Sequence, residues 1–128
     1  MRLLLDTCTF LWWVSDENII PKAVLEILLD PSNDVFLSVV SCWEITVKYS
    51  SGRLHLHESP SKFVPRHRKG YTLLSLPFDD QAVFQEQHLP RIHADPFDRM
   101  LICQSMTHDL AIVTPDPYIA RYPIRVLW

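Results

Sequence analysis

Apolar positions along this chain follow two rhythms. Leu3-Leu4-Leu5 is a short unbroken apolar run that stops at Asp6, as in a strand buried on both faces of a parallel sheet. Similar runs occur at Val35-Phe36-Leu37-Ser38, at Ala111-Ile112-Val113-Thr114, from Tyr71 to Leu74 and from Arg125 to Leu127, so four or five strands are expected. Between them, apolar residues recur at helical spacing from Phe10 to Val14, Pro21 to Leu29, Ser41 to Ser51, Pro60 to Lys69, Asp79 to Gln87 and Pro96 to His108. Strands and helices alternate, which implies βαβ crossovers. The pattern predicts an α/β chain: a three-layer α/β/α fold around a mostly parallel four- or five-stranded sheet.

Several boundaries carry physical markers. Pro21 and Pro96 suit first helical positions, and Gly52 suits the position just past the helix that starts at Ser41. The stretch from His55 to Arg68 mixes prolines, histidines and basic residues, and reads as a loop plus a surface helix. With 128 residues, 48% of them hydrophobic, only two glycines and no repeat, the chain fits a single domain over residues 1–128.

Charge and cysteine content narrow the chemistry. A net charge of -3 gives no global attraction to nucleic acid, so RNA binding would rest on local basic groups or metal ions. Cys8, Cys42 and Cys103 are odd in number and form no C-x-x-C pair, which predicts reduced thiols and no zinc site. Asp6 cuts the leading leucine run too early for a signal peptide, and no run approaches the roughly 18 apolar residues that span a bilayer. A cytoplasmic protein with no membrane partner is expected.

The candidate chemistry lies in carboxylates, each of which also has a structural explanation. Asp6 can cap the helix that follows the first strand. Ser41-Cys42-Trp43-Glu44 reads as a capping box, with Glu44 also placed for an i,i+4 pair with Lys48. In Asp95-Pro96-Phe97-Asp98, the first residue fits N-cap, the proline N1 and Asp98 N3. Asp116, in Thr114-Pro115-Asp116-Pro117, suits a turn. What singles these acids out is placement. Asp6, Glu44 and Asp116 follow the carboxyl ends of expected parallel strands, the edge where such sheets bind ligands, and Asp98 opens a helix. Four carboxylates gathered there repel one another, and a divalent cation removes the conflict. Oxygen-only ligands favour Mg²⁺ or Mn²⁺, the ions of phosphodiester hydrolysis.

The residues that carry this pattern resemble a known family over essentially the whole chain. They are Leu4-Leu5-Asp6-Thr7 with Leu11-Trp12-Trp13, Ser38 through Ile45 with Lys48 and Gly52-Arg53-Leu54, His93 through Leu101, and Val113-Thr114-Pro115-Asp116. In order and spacing the chain is similar to PIN-domain ribonucleases, specifically VapC-type toxins of type II toxin-antitoxin systems. The resemblance implies a PIN-like fold and an endoribonuclease dependent on Mg²⁺ or Mn²⁺. In that reading Asp6 and Asp98 are principal metal ligands, Glu44 and Asp116 complete an acidic quartet, Asp95 is an auxiliary acid and Thr114 supports the site by hydrogen bonding. It further implies an RNA substrate, a homodimer, and a cognate antitoxin protein through which alone the toxin meets DNA. The chain departs from the family at Cys8, where relatives often carry histidine; a buried small thiol is expected there.

Other groups have weaker claims. Arg66-His67-Arg68-Lys69 is the densest basic run and reads equally as phosphate contact or helix end. Arg91, His93 and Arg99, with His88, lie closer to the acids and are the better candidates for substrate contact. Trp43 is expected to pack in the core, while one of Trp12 and Trp13 is left as a partner contact. A haloacid-dehalogenase-like phosphatase needs a second aspartate where Cys8 stands, and a receiver domain needs an acidic pair before the first aspartate that this chain lacks. The remaining alternative is a catalytically inactive PIN-fold interaction module acting through a protein partner.

Overall fold

The computed structural model describes all of residues 1–128. Five strands, β1 (Arg2–Leu5), β2 (Asp34–Ser38), β3 (Leu74–Leu76), β4 (Ala111–Val113) and β5 (Val126–Leu127), form one sheet in the order β3-β2-β1-β4-β5. Every pairing is parallel. Leu3, Leu4 and Leu5 are fully buried because β1 is the central strand. Successive residues of β1 point to opposite faces. Leu3 and Leu5 enter one core with Phe10, Trp13, Val24, Leu28 and Val64, and Leu4 enters the other with Ala82, Leu101, Ile102 and Ile112.

Six helices supply the outer layers: α1 (Thr7–Ser15), α2 (Lys22–Leu29), α3 (Val39–Ser50), α4 (Pro60–Gly70), α5 (Asp80–Gln85) and α6 (Pro96–His108). Residues of α1, α2 and α4 fill the first core, and those of α5 and α6 the second. Ile45 of α3 reaches the first core and Val40 the second, so α3 lies across the end of the sheet. This is the expected three-layer α/β/α arrangement with all five strands formed. No helix is long and apolar enough to cross a membrane.

Three local expectations need correction. The third strand starts at Leu74 rather than Tyr71, because α4 runs to Gly70 and the chain then turns through Thr72 in the left-handed region (φ 54°). The helix expected from Asp79 to Gln87 is α5 followed by a 3-10 turn over Glu86–His88. Most consequentially, α3 begins at Val39, with Ser38 as its N-cap; the Ser38 hydroxyl accepts from the Val40 N–H at 3.0 Å. Ser41 is therefore inside the helix and the capping box does not form. Its buried hydroxyl instead accepts from Thr7 Oγ1 at 2.9 Å. Gly52 does stand past the end of α3, at φ 77°. Its N–H and that of Arg53 donate to the carbonyls of Tyr49 and Lys48 at 3.2 and 2.8 Å, a Schellman closure.

Candidate functional site

The parallel topology carries distant acids to one edge. Asp6 directly follows β1, and Glu44 lies in the second turn of the helix entered straight from β2. Asp116 follows β4, and α6 begins beside them. Because β2 and β4 flank β1, Asp6 sits between the segments that bear Glu44 and Asp116.

Asp6 caps α1, accepting from the Thr7 N–H at 2.8 Å through Oδ1. Its Oδ2 accepts from the Thr114 hydroxyl at 2.7 Å and from the Cys8 thiol at 3.3 Å. Burial drives the Asp6 carboxyl above the usual carboxylate range; these hydrogen bonds pull it back and the nearby charge of Glu44 adds to the rise. Cys8 is only half-buried, short of the burial expected. Desolvation and the Asp6 charge push its thiol up to about 12, so it acts as a neutral donor to Asp6.

Thr114, itself buried, links two acids, since its hydroxyl also accepts from the Asp116 N–H at 3.1 Å. The Asp116 carboxylate accepts from the Tyr118 N–H at 2.8 Å, an Asx turn. Asp95 is exposed and caps α6, accepting from the Phe97 and Asp98 N–H groups at 2.9 and 3.1 Å. That leaves the Asp98 side chain free to face the others. Burial pushes Asp98 up to about 7; the charges of Asp6, Asp95 and Asp116 act in the same direction and the His93 hydrogen bond opposes them.

Glu44 has lost its capping task to Ser38. Its Oε2 pairs with Lys48 Nζ at 2.5 Å, the expected i,i+4 pair. Its Oε1 is buried without any hydrogen-bond partner, and a buried carboxylate oxygen left unpaired carries a desolvation penalty. An orphaned oxygen beside two carboxyls held above their usual range is what a cation would relieve, and an all-oxygen donor set suits a hard ion. By this test the residues fit a divalent metal. No three of them are held at common ligating distance.

The basic candidates separate cleanly. The Arg99 guanidinium is 9% exposed and donates to Glu86, to the Pro90 carbonyl and to Tyr122 Oη. It is a strut beneath the site rather than the substrate contact expected. The Tyr122 hydroxyl, which accepts from Arg99, lies 2.7 Å from His93 Nδ1, and His93 Nε2 lies 3.1 Å from Asp98 Oδ2. Arg99, Tyr122 and His93 thus form a relay that orients Asp98, and Tyr122 was missed by sequence reasoning because nothing local marks it. Arg91 is exposed and shares a hollow with His93. In the basic run, Arg66 pairs with Glu58, His67 packs on Phe63, and Arg68 turns in towards the Leu37 carbonyl and Cys42.

The tryptophans depart from the expectation at Trp43. Trp13 is buried, and Trp12 packs against Trp128 with centroids 5.9 Å apart. Trp43 is the exposed one, at 58%, because it lies one residue, and so about 100° of helix, from the inward-facing Glu44.

Residues 3–124 match the family profile described as PIN domain. The fold is similar to that of VapBC2 from Rickettsia felis, solved bound to a DNA fragment from its promoter. The TM-score is 0.76 at 16% identity, covering 100% of this chain and 99% of that one. A DNA-bound VapBC from Salmonella typhimurium gives 0.71 at 20% identity, covering 99% and 97%. VapBC-5 from Mycobacterium tuberculosis, of the VapBC family of toxin-antitoxin systems, gives 0.61 at 20% identity, covering 98% and 95%. No curated protein matches the sequence.

Proposed function

The chain belongs to the PIN domain family, and from that premise we propose that it is a metal-dependent endoribonuclease, the VapC-type toxin of a type II toxin-antitoxin pair. One observation carries the reading: Asp6, Glu44, Asp98 and Asp116 meet at the carboxyl edge of the sheet, with Glu44 Oε1 buried and unpaired. Asp6 and Asp98 would hold Mg²⁺ or Mn²⁺, with Glu44 and Asp116 completing the set. The ion, when bound, supplies positive charge to a phosphodiester and acidity to an attacking water.

The chain's own residues do the positioning. Thr114 holds Asp6 and the Asp116 backbone on one hydroxyl. The relay from Arg99 through Tyr122 to His93 fixes the rotamer of Asp98. Asp95 anchors the first turn of α6 so that Asp98 projects from a rigid helix start. Arg91, exposed at the rim, is available to an RNA phosphate. Similarity to VapBC complexes supports a cognate antitoxin as partner; that this partner inhibits the enzyme, that DNA is met only through it and that the working form is a homodimer belong to the same proposal.

The test is cleavage of total RNA with mapping of the new ends. EDTA abolishes cleavage, Mg²⁺ or Mn²⁺ restores it, and Asp98→Asn lowers the rate by at least about 100-fold while circular dichroism stays unchanged, since asparagine keeps the shape. Undiminished cleavage by that variant would place the reaction elsewhere. Absence of cleavage by the parent under every metal would leave a PIN-fold interaction module.

A further inference from the structure

Two large aromatic side chains stand beside the carboxylates with most of their surface in water. Trp43, immediately before Glu44, is 58% exposed, and Tyr118, two residues past Asp116, is 52% exposed. β2 leads to the first and β4 to the second, and these strands flank β1 on opposite sides, so the rings stand on opposite flanks of Asp6. Each is braced by the segment that sets Asp98. Trp43 meets Phe97 edge to face with centroids 6.5 Å apart, and Tyr118 stacks on His93 at 5.6 Å with ring planes 3° apart. Phe97 is the neighbour of Asp98 in sequence, and His93 is its hydrogen-bond partner.

Cations available to RNA are few around this site. Arg99 is paired with Glu86 and Lys48 with Glu44, which leaves Arg91 exposed at the rim, and the chain as a whole is negative. With one free cation at the rim, a second kind of contact is needed to fix the nucleotide chain across the acids. Aromatic faces do this for unpaired bases, which expose both π-surfaces, whereas bases inside a duplex are stacked on their neighbours. Resting on the ribonuclease reading, we propose that Trp43 and Tyr118 are stacking platforms for the bases on either side of the scissile phosphate.

The test measures binding separately from cleavage. In an Asp98→Asn background with Mg²⁺, fluorescence anisotropy follows a labelled unstructured RNA oligonucleotide, the same strand annealed to its complement, and versions with single abasic positions. The single strand binds well and the duplex poorly. Trp43→Ala and Tyr118→Ala each weaken single-strand binding roughly 5- to 150-fold, the range for losing one base-aromatic stack, and Trp43→Phe and Tyr118→Phe retain most of it. Tryptophan emission is quenched by the oligonucleotide, and Trp43→Phe removes the quenching. Abasic positions weaken binding to the parent but not further to the alanine variants. Unchanged binding by both alanine variants overturns the proposal. So does equal binding of duplex, or a change of oligomeric state in Trp43→Ala with RNA binding intact. Loss of cleavage in the parent instead removes the ribonuclease reading while leaving these binding results to be judged on their own.

Discussion

At the scale of single residues, Asp98 is under the greatest tension. It opens α6, where the helix dipole favours an anion by about 0.3–1 kcal/mol, yet burial and three neighbouring acids push it up to about 7. Its pKa in the unfolded chain is about 3.9, so the folded state prefers the protonated form. That contribution is present below about pH 4 and is lost as pH rises towards 7. Asp98→Asn removes the charge and keeps a hydrogen-bonding partner for His93 Nε2, since an amide can accept or donate. In EDTA at about pH 8 the variant should melt about 4 °C above the parent, the shift that roughly 1 kcal/mol produces in a domain of this size, and the advantage should vanish near pH 4. Thermal melts followed by circular dichroism decide it. A variant less stable than the parent at pH 8 would mean that Asp98 is already compensated without metal.

At the scale of elements, Ser38 does two things at one junction. It caps α3 through the Val40 N–H, and its hydroxyl donates to Gln104 Oε1 at 2.6 Å, tying β2 to α6. Gln104 is fully buried and also donates to the Pro77 carbonyl at 3.1 Å. Ser38→Ala removes a cap and leaves a buried acceptor unpaired, which should cost about 2–3 kcal/mol in urea denaturation. Ser41→Ala, which loses only the bond from Thr7, should cost about 1 kcal/mol. The reverse ranking would mean that the capping box read from Ser41 and Glu44 had formed after all. That misreading shows what local pattern can and cannot reveal. Leu3–Leu5 and Ala111–Val113 were legible because strands buried on both faces leave unbroken apolar runs. Gly52 was legible because only a residue without Cβ takes φ 77° without strain. The start of α3 was not, because β2 passes into the helix at Ser38 with no intervening loop, and S-x-x-E three residues later looked like a beginning. The exposure of Trp43 was hidden for a different reason: tryptophan is usually well buried, and that expectation outweighed its place about 100° of helix from Glu44.

At the scale of the whole molecule, the acids at positions 6, 44, 98 and 116 meet because parallel crossovers return every strand to the same edge, with β1 between β2 and β4. This much of the site could be read from strand order alone. The Arg99-Tyr122-His93 relay could not, since its members come together only through packing of the segment before α6 on the segment after β4. Under the metal-dependent reading, the gathered charge would link fold stability, proton and metal. A cation held by Asp6 and Asp98 would require Asp98 to be ionised, so binding would release its proton below about pH 7 and release none above it. The apparent Mg²⁺ affinity, taken from the rise of Tm with metal concentration, should therefore tighten up to tenfold per pH unit from about pH 5.5 to 7 and then level off. In Asp98→Asn the rise of Tm with Mg²⁺ should be smaller and the pH dependence shallower, because the titrating ligand is gone. If the parent instead binds Mg²⁺ with the same affinity from about pH 5.5 to 8, Asp98 is not a ligand and the metal is held by the remaining acids.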